Sequence, residues 1–180
     1  GGLPLRGEVK VSGSKNSALP LFAASLLTDD ETILENVPNL SDINFMAEIL
    51  TEMGAEVYRI DSNSWKIRPT SIVPYAPYEL VRKMRASICL LGPLVARLKK
   101  AEIPMPGGCV IGNRPIDLHV RALQGLGADV QLSGGVVKVD GKNIAGNSIF
   151  IGGRNGSTVT GTANAIMLAV LTPGHCLLYT

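Results

Sequence analysis

Met53-Gly54-Ala55-Glu56-Val57 returns later in the chain as Leu126-Gly127-Ala128-Asp129-Val130, with the two glycines 73 residues apart. The surroundings repeat as well. Apolar residues at helical spacing precede each glycine: Ile43, Met46, Ala47 and Leu50 in one copy, Leu118, Ala122, Leu123 and Leu126 in the other. That spacing predicts amphipathic helices. Each glycine suits the left-handed position just past a helix end, where a Cβ would be strained. Two β-rich runs with a polar turn between them follow each glycine, over residues 56–60 and 65–68, then over 129–132 and 136–139. Ser133-Gly134-Gly135 has the chemistry of a tight hairpin turn.

A second helix type recurs over residues 17–27, 86–98 and 161–171. These segments are rich in small residues and apolar on nearly every face, and each leads into a strand, at 32–34, 102–104 and 176–179. Helices of that kind are buried. The repeating unit is therefore helix, strand, helix and paired strands, about 72 residues long, with two complete copies and a third that stops after its first strand. Three related buried helices predict an α/β fold with a pseudo-threefold helical core and sheets outside.

Composition narrows the partners. With 180 residues, 46% of them hydrophobic, the chain can bury one sizeable core. The net charge is only +2 and the basic residues are scattered, so no nucleic-acid partner is expected. The longest apolar stretch, residues 86–98, is broken by Gly92-Pro93 and carries Arg97. It falls short of the roughly 18 apolar residues that span a membrane. The N-terminus shows no signal pattern. The three cysteines are an odd number and far apart, fitting neither a disulfide framework nor a zinc site. A soluble, cytoplasmic protein without a metal or other cofactor is expected. The sequence carries no dinucleotide fingerprint, P-loop, zincin helix or nucleophile elbow.

The starts of the buried helices share a character. They follow or contain Ser12-Gly13-Ser14-Lys15-Asn16, Lys83-Met84-Arg85-Ala86-Ser87 and Gly156-Ser157-Thr158-Val159-Thr160. A helix N-terminus offers free N–H groups and the positive end of the macrodipole, which suits an anion. Cations there disfavour the helix itself. Lys15 and Arg85 make better sense if an anion sits between them and the helix ends. Ordinary Ser and Thr capping, with the cations in solvent, is the alternative.

Residues 106–119 form the other informative stretch. Three glycines and two prolines make a loop, and Cys109 sits inside it, away from any apolar periodicity. Cys89 and Cys176 lie in apolar segments and are expected to be inert and buried. A thiol reacts as thiolate, which a nearby Arg or protonated His favours. Arg114 and His119 are close enough in sequence to do this for Cys109, making it a candidate nucleophile or general acid. Asp117 fits an N-cap of the following helix. Arg114, just before that helix, is a third cation for the proposed anion site, and its planar fork suits phosphate or carboxylate.

Gly13-Ser14-Lys15-Asn16, Met84-Arg85-Ala86-Ser87 and Pro106-Gly107-Gly108-Cys109, followed by Gly112 and Arg114-Pro115 through His119, resemble the UDP-N-acetylglucosamine 1-carboxyvinyltransferase family of the EPSP synthase-like superfamily. The resemblance runs along essentially the whole chain, and the cysteine loop is its specific motif. It implies an inside-out α/β barrel built of βαβαββ units, the third of them incomplete here. It also implies transfer of the enolpyruvyl group of phosphoenolpyruvate to the 3′-hydroxyl of UDP-N-acetylglucosamine, the first committed step of peptidoglycan synthesis. By the same resemblance Lys15 binds phosphoenolpyruvate and Asn16 contacts the substrates beside it. Arg85 belongs to the nucleotide-sugar site and Arg114 binds phosphate. Cys109 is the loop cysteine that forms an adduct with phosphoenolpyruvate, donates a proton and is alkylated by fosfomycin. Pro115, Ile116, Asp117 and Leu118, with Ser157, Thr158 and Val159, line the UDP-sugar.

Two departures from the family pattern stand out. Residues 153–160 lack the lysine that some members carry before Ser-Val-Gly, with Arg154 as the available substitute. The second domain, which the resemblance expects to bring an aspartate near the sugar hydroxyl and another arginine, is expected to lie outside this chain. Residues 1–12 are expected to be strand given to that domain, residues 13–180 to be the first domain, and the chain alone to be inactive. Three alternatives remain open: the sister enzyme acting on shikimate 3-phosphate, a non-catalytic sugar-nucleotide-binding relative, and a threefold module without a ligand.

Overall fold

The computed structural model describes residues 2–107, 116–153 and 156–180. The first unit comprises α1 (Lys15–Ala24, continued by a 3-10 turn Ser25–Leu27), β1 (Thr32–Leu34), α2 (Ser41–Glu52), β2 (Ala55–Arg59) and β3 (Trp65–Pro69). After the short α3 (Tyr78–Val81), the second unit opens with a 3-10 helix Arg85–Leu90 that runs into α4 (Leu91–Leu98). It continues with β4 (Lys100–Pro104), α5 (Asp117–Gly125), β5 (Asp129–Ser133) and β6 (Val136–Asp140). The third holds β7 (Ser148–Phe150), the two-residue strands β8 (Gly152–Gly153) and β9 (Gly156–Ser157), α6 (Val159–Val170) and β10 (Leu177–Tyr179).

The repeat is real in three dimensions. The first two units each close a three-stranded antiparallel sheet with the same order, β1-β3-β2 and β4-β6-β5. Gly54 and Gly127 end α2 and α5 with φ of +98° and +90°, the left-handed geometry expected of them. Gly134 and Gly135, at +57° and +73°, make the β5–β6 hairpin with positive φ at both positions, which matches the strand twist. In the third unit β10 pairs with β7 in parallel. The second unit shows a trace of the same pairing, a parallel bridge from Tyr75 to Glu102 in β4.

The core lies among the helices. Phe22, Leu26, Ile88, Leu90, Leu91, Leu94 and Leu168 are essentially inaccessible, whereas the amphipathic α2 and α5 bury one face each. α1 and α6 both pack against the 3-10 helix and touch each other, and α4 packs along α6. Gly92 allows that last approach, since a Cβ there would stand 2.5 Å from the Asn164 carbonyl oxygen. Fully apolar helices inside and sheets outside are the predicted architecture.

Residues 2–12 form no strand, and Leu3, Leu5, Val9 and Val11 stand exposed. An extended segment with no sheet edge beside it has no ladder to join. Asp117 is the first helical residue of α5 rather than its N-cap, which is Ile116. The Asp117 carboxylate still sits in the first turn, where the macrodipole favours it. Cys89 is buried as expected, and burial pushes its thiol up to about 12. Cys176 is only half-buried, because it precedes β10 at the edge of the two-stranded sheet.

Candidate functional site at the helix starts

Contacts run continuously across one end of the molecule. Lys15, the first residue of α1, places Nζ 2.7 Å from Asp42 Oδ2 in the first turn of α2. One turn further along α2, Phe45 lies under Lys83, whose Nζ is 5.7 Å from the ring centroid. Two residues on, Arg85 opens the 3-10 helix, half-buried. Its charge reaches His119 in α5 strongly enough to help lower that ring's pKa. His119 Nε2 in turn lies 3.1 Å from Thr160 Oγ1 in the first turn of α6. The starts of α1, α2, the 3-10 helix, α5 and α6 are thereby drawn to one region, with Lys15, Lys83 and Arg85 among them.

The three expected helix starts differ in how they are capped. Thr158 is a true N-cap, its Oγ1 accepting from Gly161 N–H at 3.1 Å. Ser14 and Met84, at the other two starts, make no side-chain cap. The anion argued for beside Lys15 has a counterpart inside the protein, since Asp42 supplies the counter-charge. That pair is side-chain exposed at 42% and 31%, so it is a weak, solvent-screened interaction.

Asn16 is exposed at the same helix start. Ile116 is buried, Asp117 exposed and Leu118 half-buried at the start of α5. The β8–β9 hairpin leans on this turn: Gly153 packs close to Leu118, and Arg121 Nη1 donates to the Gly152 carbonyl at 2.8 Å. Ser157, opposite Gly152 in that hairpin, and Val159, 82% exposed at the start of α6, therefore lie near Leu118. Cys109, Arg114 and Pro115 fall in residues 108–115, and Arg154 in residues 154–155, outside the described residues. The stems of the 108–115 segment are placed. Gly107 lies so close to the Arg82 carbonyl that a Cβ would be 2.1 Å from it, and Ile116 packs in the core. Both stems belong to the end that carries the cations.

His119 corrects an expectation. It is 3% exposed, and burial first, then the Arg85 charge, lower its pKa to about 4, with Asp117 opposing weakly. At neutral pH it is uncharged and lends no positive charge to a nearby thiol, which leaves Arg114 as the cation proposed for Cys109. Two residues at this end were not anticipated, Asp42 and Asn164, while Lys83 and Thr160 lie in the expected helix starts without an expected role. Asn164 had a signal, as an amide in the middle of the apolar 161–171 run. Asp42 and Lys83 look like any charged surface residue of an amphipathic segment.

Residues 1–180, the whole chain, match the family model described as EPSP synthase (3-phosphoshikimate 1-carboxyvinyltransferase). The chain belongs to the EPSP synthase family. It is 51% identical over 178 residues to a UDP-N-acetylglucosamine 1-carboxyvinyltransferase of Methylacidiphilum infernorum, covering 99% of this chain and 42% of that protein. Against the protein of the same name from Akkermansia muciniphila it is 50% identical over 175 residues, covering 97% and 41%. The chain thus spans about 42% of the length of the curated relatives it matches. Among solved structures, the enolpyruvyl transferase NikO from Streptomyces tendae superposes with a TM-score of 0.77 at 20% identity, over 97% of this chain and 40% of that one. EPSP synthase from Acinetobacter baumannii gives 0.70 at 14% identity, over 93% and 39%. At those identities the structures speak for the fold, the inside-out arrangement of the EPSP synthase family, and for nothing finer.

Proposed function

We propose that this chain is the first domain of a UDP-N-acetylglucosamine 1-carboxyvinyltransferase, cytoplasmic, opening peptidoglycan synthesis and hence serving cell-wall growth, cell shape and division. The observation that carries this reading is the identity of about half the residues, along nearly the whole chain, with two enzymes of that name. The EPSP synthases resemble it in fold at 14–15% identity.

The chemistry fits the cationic end. Protonation of the methylene carbon of phosphoenolpyruvate leaves cationic character on the neighbouring carbon. The sugar 3′-hydroxyl adds there, and loss of a proton from the new methyl group with expulsion of phosphate restores the enol ether. Fixed positive charge must hold the phosphate and carboxylate throughout, and a preorganised, water-excluded site does this best. Lys15 and Arg114 are read as the phosphoenolpyruvate cations, with Asn16 beside them. Arg85, Pro115 to Leu118 and Ser157 to Val159 are read as the nucleotide-sugar wall. Cys109 is read as the proton donor or covalent partner. Residues 1–12 are read as strand that joins a second domain, which completes the cleft.

The test is phosphate release from phosphoenolpyruvate by the full reading frame that carries this chain, with UDP-N-acetylglucosamine and with shikimate 3-phosphate in parallel, and again with Cys109→Ala. Release with the UDP-sugar alone, abolished by Cys109→Ala, is expected. Residues 1–180 by themselves are expected to show negligible turnover. Release with the shikimate ester would overturn the substrate, and release with neither would overturn the activity.

A further inference from the structure

A polar cluster sits inside the otherwise apolar junction of the 3-10 helix, α4, α5 and α6. Asn164 is fully buried in the middle of α6. Its Oδ1 accepts from Gly92 N–H at 2.9 Å, while Nδ2 donates to the Ile88 carbonyl at 2.8 Å and to His119 Nδ1 at 2.8 Å. These partners fix the orientation of the amide. Turned over, it would set oxygen against the Ile88 carbonyl and NH2 against the Gly92 N–H, losing both bonds. With the amide so placed, His119 Nδ1 must accept. The ring of the neutral imidazole therefore carries its proton on Nε2 and donates it to Thr160 Oγ1. A hydroxyl that accepts in this way keeps its own proton to give.

Burying an amide and an imidazole in such a junction costs free energy unless every group is satisfied. Aliphatic side chains would pack the same helices without that demand. What the polar cluster adds is direction. It joins the 3-10 helix, α4, α5 and α6 at fixed distances, and it sets which way the last hydroxyl points. Arg85 and Asp117 are the charged groups that act on His119. The ring stays neutral across the physiological range, so the direction of the relay does not reverse there.

We propose that Asn164 and His119 are positioning residues of the anion-binding end, aligning the Thr160 hydroxyl so that it donates to a phosphate oxygen of the bound sugar nucleotide. The inference rests on the reading of the site given under Proposed function. Asn164 acts through His119, and His119 through Thr160; only the last touches ligand.

Two measurements on the full reading frame test it. Long-range proton–nitrogen correlation spectra with 15N-labelled histidine report the tautomer of His119, and calorimetric titration reports the affinity for UDP-N-acetylglucosamine. The wild type is expected to show the Nε2–H tautomer. Thr160→Val keeps the shape and the tautomer and is expected to weaken binding about tenfold, the scale of one hydrogen bond to a charged group. Thr160→Ser is expected to restore it. Asn164→Ala is expected to mix the tautomers and to weaken binding although Thr160 is intact; should that variant not fold, the Thr160 pair carries the test. An Nδ1–H tautomer in the wild type overturns the inference. So does wild-type affinity in folded Thr160→Val, and in that case the proposed function stands. Absence of binding by the wild type itself overturns the proposed function and this inference with it.

Discussion

Acidification should strike this fold at His119 in a way that can be isolated from everything else that titrates. Its ring has a pKa of about 4 in the folded chain against 6.5 for the free side chain, chiefly because it is buried. A depressed histidine pKa means that the unfolded chain binds the proton more readily. The neutral ring's contribution is therefore fully present above pH 6.5 and is lost as the pH falls from 6.5 towards 4. At 1.36 kcal/mol per unit, the linkage comes to about 3 kcal/mol by pH 4. That is a large fraction of the few kcal/mol that separate most domains from unfolding. Carboxylates such as Asp61, Glu102 and Asp140, held below their usual range by hydrogen bonds and neighbouring cations, lose stability over lower pH values. A comparison with His119→Gln cancels them. Urea unfolding of both proteins from pH 7.5 down to 4 is the assay. At neutral pH the variant is expected to be less stable, because the bond to Asn164 is gone. The gap should close by about 3 kcal/mol, most of it between pH 6 and 4. Parallel curves would refute the reasoning, since they would mean that the ring charges in the folded chain as easily as in the unfolded one.

Two further predictions use the same assay or the binding titration. Gly54→Ala places a Cβ 2.3 Å from the Ser71 carbonyl oxygen at a φ of +98°, and should cost about 3 kcal/mol. Gly134→Asn, at a φ of +57° with open space around it, should change stability by less than about 0.5 kcal/mol, so equal losses at the two sites would count against the geometry. Lys15→Met should alter stability by less than about 1 kcal/mol, because the bond to Asp42 is solvent-screened, yet weaken phosphoenolpyruvate binding by the full reading frame about tenfold or more.

The repeat made the architecture legible. Gly54 and Gly127 mark equivalent helix ends because only glycine sits comfortably there, and a motif tied to backbone geometry survives when side chains drift. The strand at 32–34 followed from its place after a buried helix in the repeat, and the β5–β6 hairpin from turn chemistry. The 86–98 segment was less transparent. Its first five residues are 3-10 rather than α, a local winding that packing decides and periodicity cannot report. β7 was missed because three residues, Ser148, Ile149 and Phe150, are too few to carry a pattern; it exists through parallel pairing with β10, a non-local event. His119 shows the same limit at the site. Sequence distance suggested a cation for the cysteine loop, and burial, which sequence does not display, made it a neutral acceptor for Asn164.

Lys15 carries the argument one step further. A cation at the first position of a helix needs a counter-charge, and that need was readable from the chain alone. The supplier, Asp42, was not, because it is 27 residues away and reaches Lys15 only when α1 and α2 are packed. Its presence does not argue against a ligand. A pair this exposed contributes at most about 1 kcal/mol. A bound phosphate or carboxylate, held as well by Arg114 and by the free N–H groups of the helix start, would take Lys15 at small cost. On the proposed function, Asp42 is a partner that Lys15 exchanges for the ligand. A long, flexible side chain that is already placed loses less rotamer entropy on capture than one that must be drawn in from solvent.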